Sequence, residues 1–180
     1  MRTLNKPLRY GLACLLFSSM LLSSSVNASI YLVRHAERIS QKDDASLLSR
    51  QGKKRAKVLQ HVLSSVKLTA IYCTEYKRTQ QTAAPVAEAQ HLPPTITNSE
   101  DIKGLAEKLK AVPIDEDVLV VGHTDTIPDL LKELGAPPIP IAKTDYDNLF
   151  IVTPRKEQSP QFQRLHYGED SGPSSQPAKP

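Results

Sequence analysis

The sequence predicts an α/β fold, a single-domain three-layer α/β/α sandwich around a mostly parallel central sheet. Three observations carry that expectation. Apolar runs rich in β-branched and aromatic residues, such as Ile30-Tyr31-Leu32-Val33 and Val118-Leu119-Val120-Val121, are too short for helices. They alternate with stretches whose apolar residues recur at helical spacing, and connections of that length suit the crossovers that parallel neighbours need. At 180 residues the chain has room for one domain with a sizeable core.

At the N-terminus Arg2, Lys6 and Arg9 precede an apolar run from Tyr10 to Leu22, too short to span a bilayer comfortably, and Val26-Asn27-Ala28 follows. Residues 1–28 therefore read as a signal peptide cleaved before Ser29, which places the mature chain in the periplasm or outside the cell, with no stable membrane insertion. Lipidation at Cys14 is not expected, because the apolar run continues past it. Without those three cations the chain has 20 basic residues (23 − 3) against 19 acidic ones, so the basic balance argues for no nucleic acid partner. Cys73 is then the one remaining cysteine, with no internal disulfide to make, and its apolar surroundings suit a buried inert thiol.

Residues 29–167 form the expected domain. Ser29 to Val33 is a strand. Ala56, Leu59, Val62, Leu63 and Val66 mark an amphipathic helix from Ser49, a suitable N-cap, to Val66. A buried strand over 69–74 precedes a helix over 76–90 in which Pro85 predicts a kink. Turn residues and a short strand occupy 91–98, with a helix near 101–111. The clearest core strand, 117–121, ends on Gly122-His123 and leads into a helix over 125–134, closed by Gly135 and Pro137. A strand over 148–153 and an edge strand over 161–167 complete the sheet. Residues 168–180 hold no large apolar side chain and read as a disordered tail.

Both Arg34-His35 and Gly122-His123 follow strands directly, so they should emerge on one rim, where parallel sheets bind ligands. A neutral imidazole at His35 is a competent nucleophile toward phosphorus, and Arg34 can hold a phosphate by charge-assisted bonds. Guanidinium groups close by would lower the pKa of His35 and keep its attacking lone pair free. Arg78 sits in the first turn of a helix, where a cation opposes the dipole unless it serves an anion lying against the helix N-terminus. His123, at the mouth of the next helix, can donate to a phosphoryl oxygen.

This ordered set, Ile30-Tyr31-Leu32-Val33-Arg34-His35-Ala36-Glu37, the Leu48-Ser49 and Gly52 helix start, Arg78 to Ala83, and Val121-Gly122-His123, resembles the histidine phosphatase superfamily, also called phosphoglycerate mutase-like. The resemblance implies metal-independent phosphoryl transfer with His35 as nucleophile, Arg34, Arg78 and His123 binding phosphate, and no cofactor or metal. Only 45 positions (123 − 78) separate Arg78 from His123, which favours a small phosphatase over a mutase. The general acid has no clear counterpart. Asp125 could serve or could cap its helix, Glu37 could serve or could orient an arginine, and Glu100 or Asp101 lie further off. Without an acid, good leaving groups such as acyl phosphates or phosphoramidates are preferred. The partner implied is a small phosphorylated substrate or an envelope phosphate group, and the rival function is a noncatalytic phosphate-recognition module using the same pocket. His61, His91 and His166 read as structural or solvent-facing, and oligomeric state is not legible.

Overall fold

In a computed structural model, residues 28–171 other than Ile114 are described; the expected signal peptide, save Ala28, and positions 172–180 of the expected tail lie outside them. Ten elements follow in order: β1 (Ile30–Arg34), α1 (Arg50–Val62), β2 (Leu68–Thr74), α2 (Lys77–Gln90), β3 (Thr95–Thr97), α3 (Ile102–Lys110), β4 (Asp117–Gly122), α4 (Thr126–Glu133), β5 (Asn148–Arg155) and β6 (Gln158–His166). The sheet order is β3-β2-β4-β1-β5-β6. The first four strands in that order run parallel, and the β5–β6 hairpin joins β1 antiparallel.

Period-two alternation along the strands divides the core into two faces. Ile30 and Leu32 of β1 and Val118 and Val120 of β4 pack with Leu105 and Leu109 of α3 and Ile127 and Leu130 of α4. Val33, Leu119 and Val121 face the other way, onto Leu59 of α1 and Ala83 and Val86 of α2. Both faces are covered by helices, so Ile30–Val33 of β1 and Val118–Val121 of β4 are apolar runs, as buried parallel strands must be. The three-layer sandwich expected from the sequence is the fold observed.

Several boundaries differ from the sequence reading. The first helix stops at Val62 rather than Val66, because Ser64 and Val66 donate to carbonyls only three residues back; α2 runs through Pro85 over nearly the span expected. The final hairpin is longer than the apolar pattern suggested, because β6 exposes one face and its polar residues carry ladder bonds rather than core contacts. The ordered chain also extends past Tyr167, which is buried, through Gly168–Ser171.

Register sets the site. Arg34 of β1 pairs with Gly122 of β4, and Cys73 of β2 with Val121, so Arg34, Gly122 and Thr74 end their strands side by side. The backbone N–H of His35 donates to the Gly122 carbonyl at 2.9 Å, which extends the ladder one step and brings His35 alongside His123.

Candidate active site

The strand ends open into a cleft of about 770 Å³ lined by Arg34, His35, Tyr76, Arg78, His123 and Tyr146 among others. His35 and His123 are both buried, with ring centroids 5.4 Å apart. His35 Nδ1 lies 2.8 Å from the Ala36 carbonyl oxygen, which can only accept, so Nδ1 carries the proton and Nε2 keeps the lone pair. Burial first, then the charges of Arg34 and Arg78, hold His35 down at about 3, while the Ala36 bond opposes them. The ring is therefore neutral at any ordinary pH.

A hydroxyl chain orients His123. Thr79 Oγ1 lies 2.8 Å from the Tyr76 carbonyl and 3.0 Å from that of Thr74, so its proton goes to a carbonyl and its lone pair accepts from Thr74 Oγ1, 3.0 Å away. Thr74 Oγ1 in turn accepts from His123 Nε2–H at 2.8 Å. That leaves Nδ1 buried with no partner among the described residues. Burial, then Arg78, hold His123 at about 4, with Asp125 opposing.

Two arginines complete the cradle, and each is braced in the same way. Arg34 lies 3.9 Å from the Tyr146 ring centroid and its Nη1 donates to the Ala142, Lys143 and Asp145 carbonyls. Arg78 lies 4.1 Å from the Tyr76 ring centroid and its Nη1 donates to the Asp44 carbonyl at 2.7 Å. Stacking and main-chain bonds fix both planes at low entropic cost. The Nε atoms of both have no hydrogen-bond partner among the described residues. Burial lowers both guanidinium pKa values, yet an arginine stays charged in proteins.

Helix starts lock this geometry. Thr82 Oγ1 accepts from the Ala36 N–H at 2.9 Å and donates to the Arg78 carbonyl at 2.8 Å, joining α2 to the loop after β1. Ser49 caps α1 as expected, and Gly52 has no Cβ because the Glu37 carbonyl occupies that space. A Cβ on Gly122 would meet Thr126 Oγ1 at 2.6 Å, the hydroxyl that accepts from the His123 N–H.

The carboxylates considered for the general acid separate in the structure. Asp125 occupies the N-cap of α4 and accepts from the Thr126 N–H at 2.7 Å while lining the cleft. Glu37 accepts from Arg55 Nε and Nη2 at 2.8–3.1 Å, an arginine of α1 that does not line the cleft. Asp101 caps α3. Glu100 lines the cleft mouth on a turn that Glu75 pins through both Ser99 donors. Cys73 is buried and its thiol is pushed up to about 11 by burial, which makes it inert. Among the described residues no group of three or more His, Cys, Asp or Glu is arranged to hold a metal ion. Sequence reasoning missed Thr74, Tyr76, Arg55 and Tyr146; only Thr74, at a strand end beside the Arg78 motif, carried a positional signal.

A family model described as histidine phosphatase superfamily (branch 1) matches residues 30–101, the span from β1 through α2 to the start of α3. This segment belongs to the histidine phosphatase superfamily. His35, Arg34 and Arg78 fall within it, and β4 with His123 completes the sheet beside it. Solved structures share the whole fold. The protein histidine phosphatase SixA complexed with tungstate is 19% identical with a TM-score of 0.62, over 77% of this chain and 96% of that one. The alpha-ribazole phosphatase from Shigella flexneri is 16% identical with a TM-score of 0.64, over 77% and 96%. A mycobacterial glucosyl-3-phosphoglycerate phosphatase is 13% identical with a TM-score of 0.61, over 80% and 100%. No curated protein sequence matches the chain.

Proposed function

We propose that this chain is a metal-independent phosphatase that works through a phosphohistidine on His35. The observation that carries the proposal is the buried neutral imidazole whose Nδ1–H is tied to a carbonyl, in a cleft it shares with two braced guanidinium groups whose charges act on it. That arrangement frees Nε2 for attack and supplies positive charge where phosphoryl oxygens sit. The superfamily match and the similar folds named as phosphatases support it.

In the first step the Nε2 lone pair bonds to phosphorus as the P–O or P–N bond to the leaving group breaks and takes its electron pair away. Water then bonds to phosphorus as the P–Nε2 bond breaks and its electron pair returns to Nε2, so His35, which keeps its Nδ1–H, leaves as the neutral ring and the attacking water gives up a proton to solvent as phosphate forms. Arg34 and Arg78 hold the oxygens through both steps. A negative phosphoryl group counters the Arg78 charge that, after burial, holds His123 down, and a proton brought in by the substrate to Nδ1 lets the ring donate there to a phosphoryl oxygen.

Leaving-group protonation is the weak point of the site. Asp125 is engaged as a cap and Glu37 by Arg55, and neither bonds to either histidine. The cleft therefore suits phosphoryl groups on good leaving groups, acyl phosphates or phosphoramidates included, with Glu100 the carboxylate at the mouth left for poorer ones. Equal rates on alkyl and aryl phosphates would contradict this preference. The leader pattern of residues 1–28 supports export, which makes the substrate a periplasmic or extracellular phosphoryl compound.

The test is phosphate release from an aryl phosphate by the chain beside its His35→Ala variant. Turnover confined to the intact protein is expected. Oxyanion binding with no turnover by either would instead favour a noncatalytic recognition module.

A further inference from the structure

Beyond β6 the chain turns toward the cleft, and Asp170 and Ser171 form part of its lining. Two anchors hold this segment. Arg55 Nη1 donates to the Tyr167 carbonyl at 2.8 Å and Nη2 to the Glu169 carbonyl at 2.9 Å, while Nε and Nη2 also bond Glu37. One buried guanidinium thus ties the segment to the carboxylate two residues after His35. At the far end the Tyr146 N–H donates to Ser171 Oγ at 2.8 Å, and Tyr146 is the ring stacked on Arg34 and edge-on to His35 at 6.0 Å.

Detaching the segment would remove the Glu169 acceptor from one Nη2–H of a buried guanidinium and the Ser171 acceptor from the Tyr146 N–H, both unfavourable. Docking of Gly168–Ser171 is therefore the stable arrangement. The cleft it borders has no Ala, Val, Leu, Ile, Met or Phe in its lining among the described residues. A leaving group bound there meets the Tyr76 and Tyr146 rings together with carboxylate, hydroxyl, amide and ammonium groups, so the cleft suits one that carries hydrogen-bonding or charged groups of its own beside an apolar or aromatic body.

We propose that Gly168–Ser171 is a specificity-determining wall of the active site, positioned by Arg55, which selects leaving groups bearing polar or cationic groups and steadies Tyr146 against Arg34. The proposal rests on the phosphoryl-transfer reading.

The experiment compares the full chain with chains ending at Ser171 and at Tyr167, and with the Asp170→Asn/Ser171→Ala double variant in case the shortest chain fails to fold. Phenyl phosphate and free phosphotyrosine are the substrates, because both release a phenol while only the second carries ammonium and carboxylate groups. The chain ending at Ser171 should match the full chain. The chain ending at Tyr167 should lose about tenfold in kcat/KM on phosphotyrosine, through KM, and less than about threefold on phenyl phosphate. The double variant should show the same selective loss, and amide exchange at Tyr146 should quicken in both. An unchanged substrate ratio in the variants would overturn the wall, as would unchanged Tyr146 exchange. If the full chain turns over neither substrate, the phosphoryl-transfer reading falls, and Tyr146 exchange still decides whether the wall braces the cradle.

Discussion

Burying two neutral histidines makes the fold sensitive to acid, and the size of that effect follows from the site. Unfolded, His35 titrates at 6.5; folded, it is held at about 3. A histidine with a depressed folded pKa takes up its proton only on unfolding, so its contribution is full above 6.5 and is lost as pH falls toward 3. At pH 5 the gap from 6.5 spans 1.5 units, and at ~1.4 kcal/mol per unit His35 costs about 2 kcal/mol relative to neutral pH. His123, held at about 4, costs a similar amount. Because the rings lie 5.4 Å apart they titrate as a coupled pair, so the total stays at or below about 4 kcal/mol. Urea unfolding of wild type and His35→Asn at pH 7, 6 and 5 reads this directly. Wild type should lose about 2 kcal/mol more than the variant between pH 7 and 5. Parallel pH dependence in the two proteins would refute the assignment of a buried neutral His35.

Other substitutions probe the cradle and its supports. Arg78→Lys keeps a charge but loses the planar group stacked on Tyr76, and kcat/KM should fall on the order of 10- to 100-fold with little change in Tm. Gly52→Ala drives a Cβ into the Glu37 carbonyl, and thermal unfolding should show a loss of at least ~2 kcal/mol together with reduced turnover. Glu100→Gln should slow alkyl phosphates and leave activated aryl phosphates unchanged, as measured by rates across a series of leaving groups.

The fold was legible because buried parallel strands must be apolar on both faces, as Ile30–Val33 and Val118–Val121 are, and because apolar residues recur at helical spacing on either side of the strand at 69–74. The same strand ends located His35, Arg34 and His123. What the sequence concealed lies far along the chain from the motifs. Arg34 is braced by residues 142–146, more than 100 positions away, and nothing in Ala142-Lys143-Thr144-Asp145-Tyr146 announces that role. Glu37 had two readings, and its pairing with Arg55 depends on how α1 packs beside β1, which no local pattern encodes. The tail was read as disordered from composition, since docking of Gly168–Ser171 uses carbonyls and one hydroxyl rather than apolar side chains.

The central claim is the covalent intermediate on His35. The most direct measurement is rapid quench of the chain during turnover of an aryl phosphate, followed by peptide mapping under basic conditions, where phosphohistidine survives. The account predicts a phosphoryl group on His35 that is absent from His123 and forms and decays at rates matching turnover. Turnover without phosphorylated His35, or with phosphate carried by His123 instead, would contradict it.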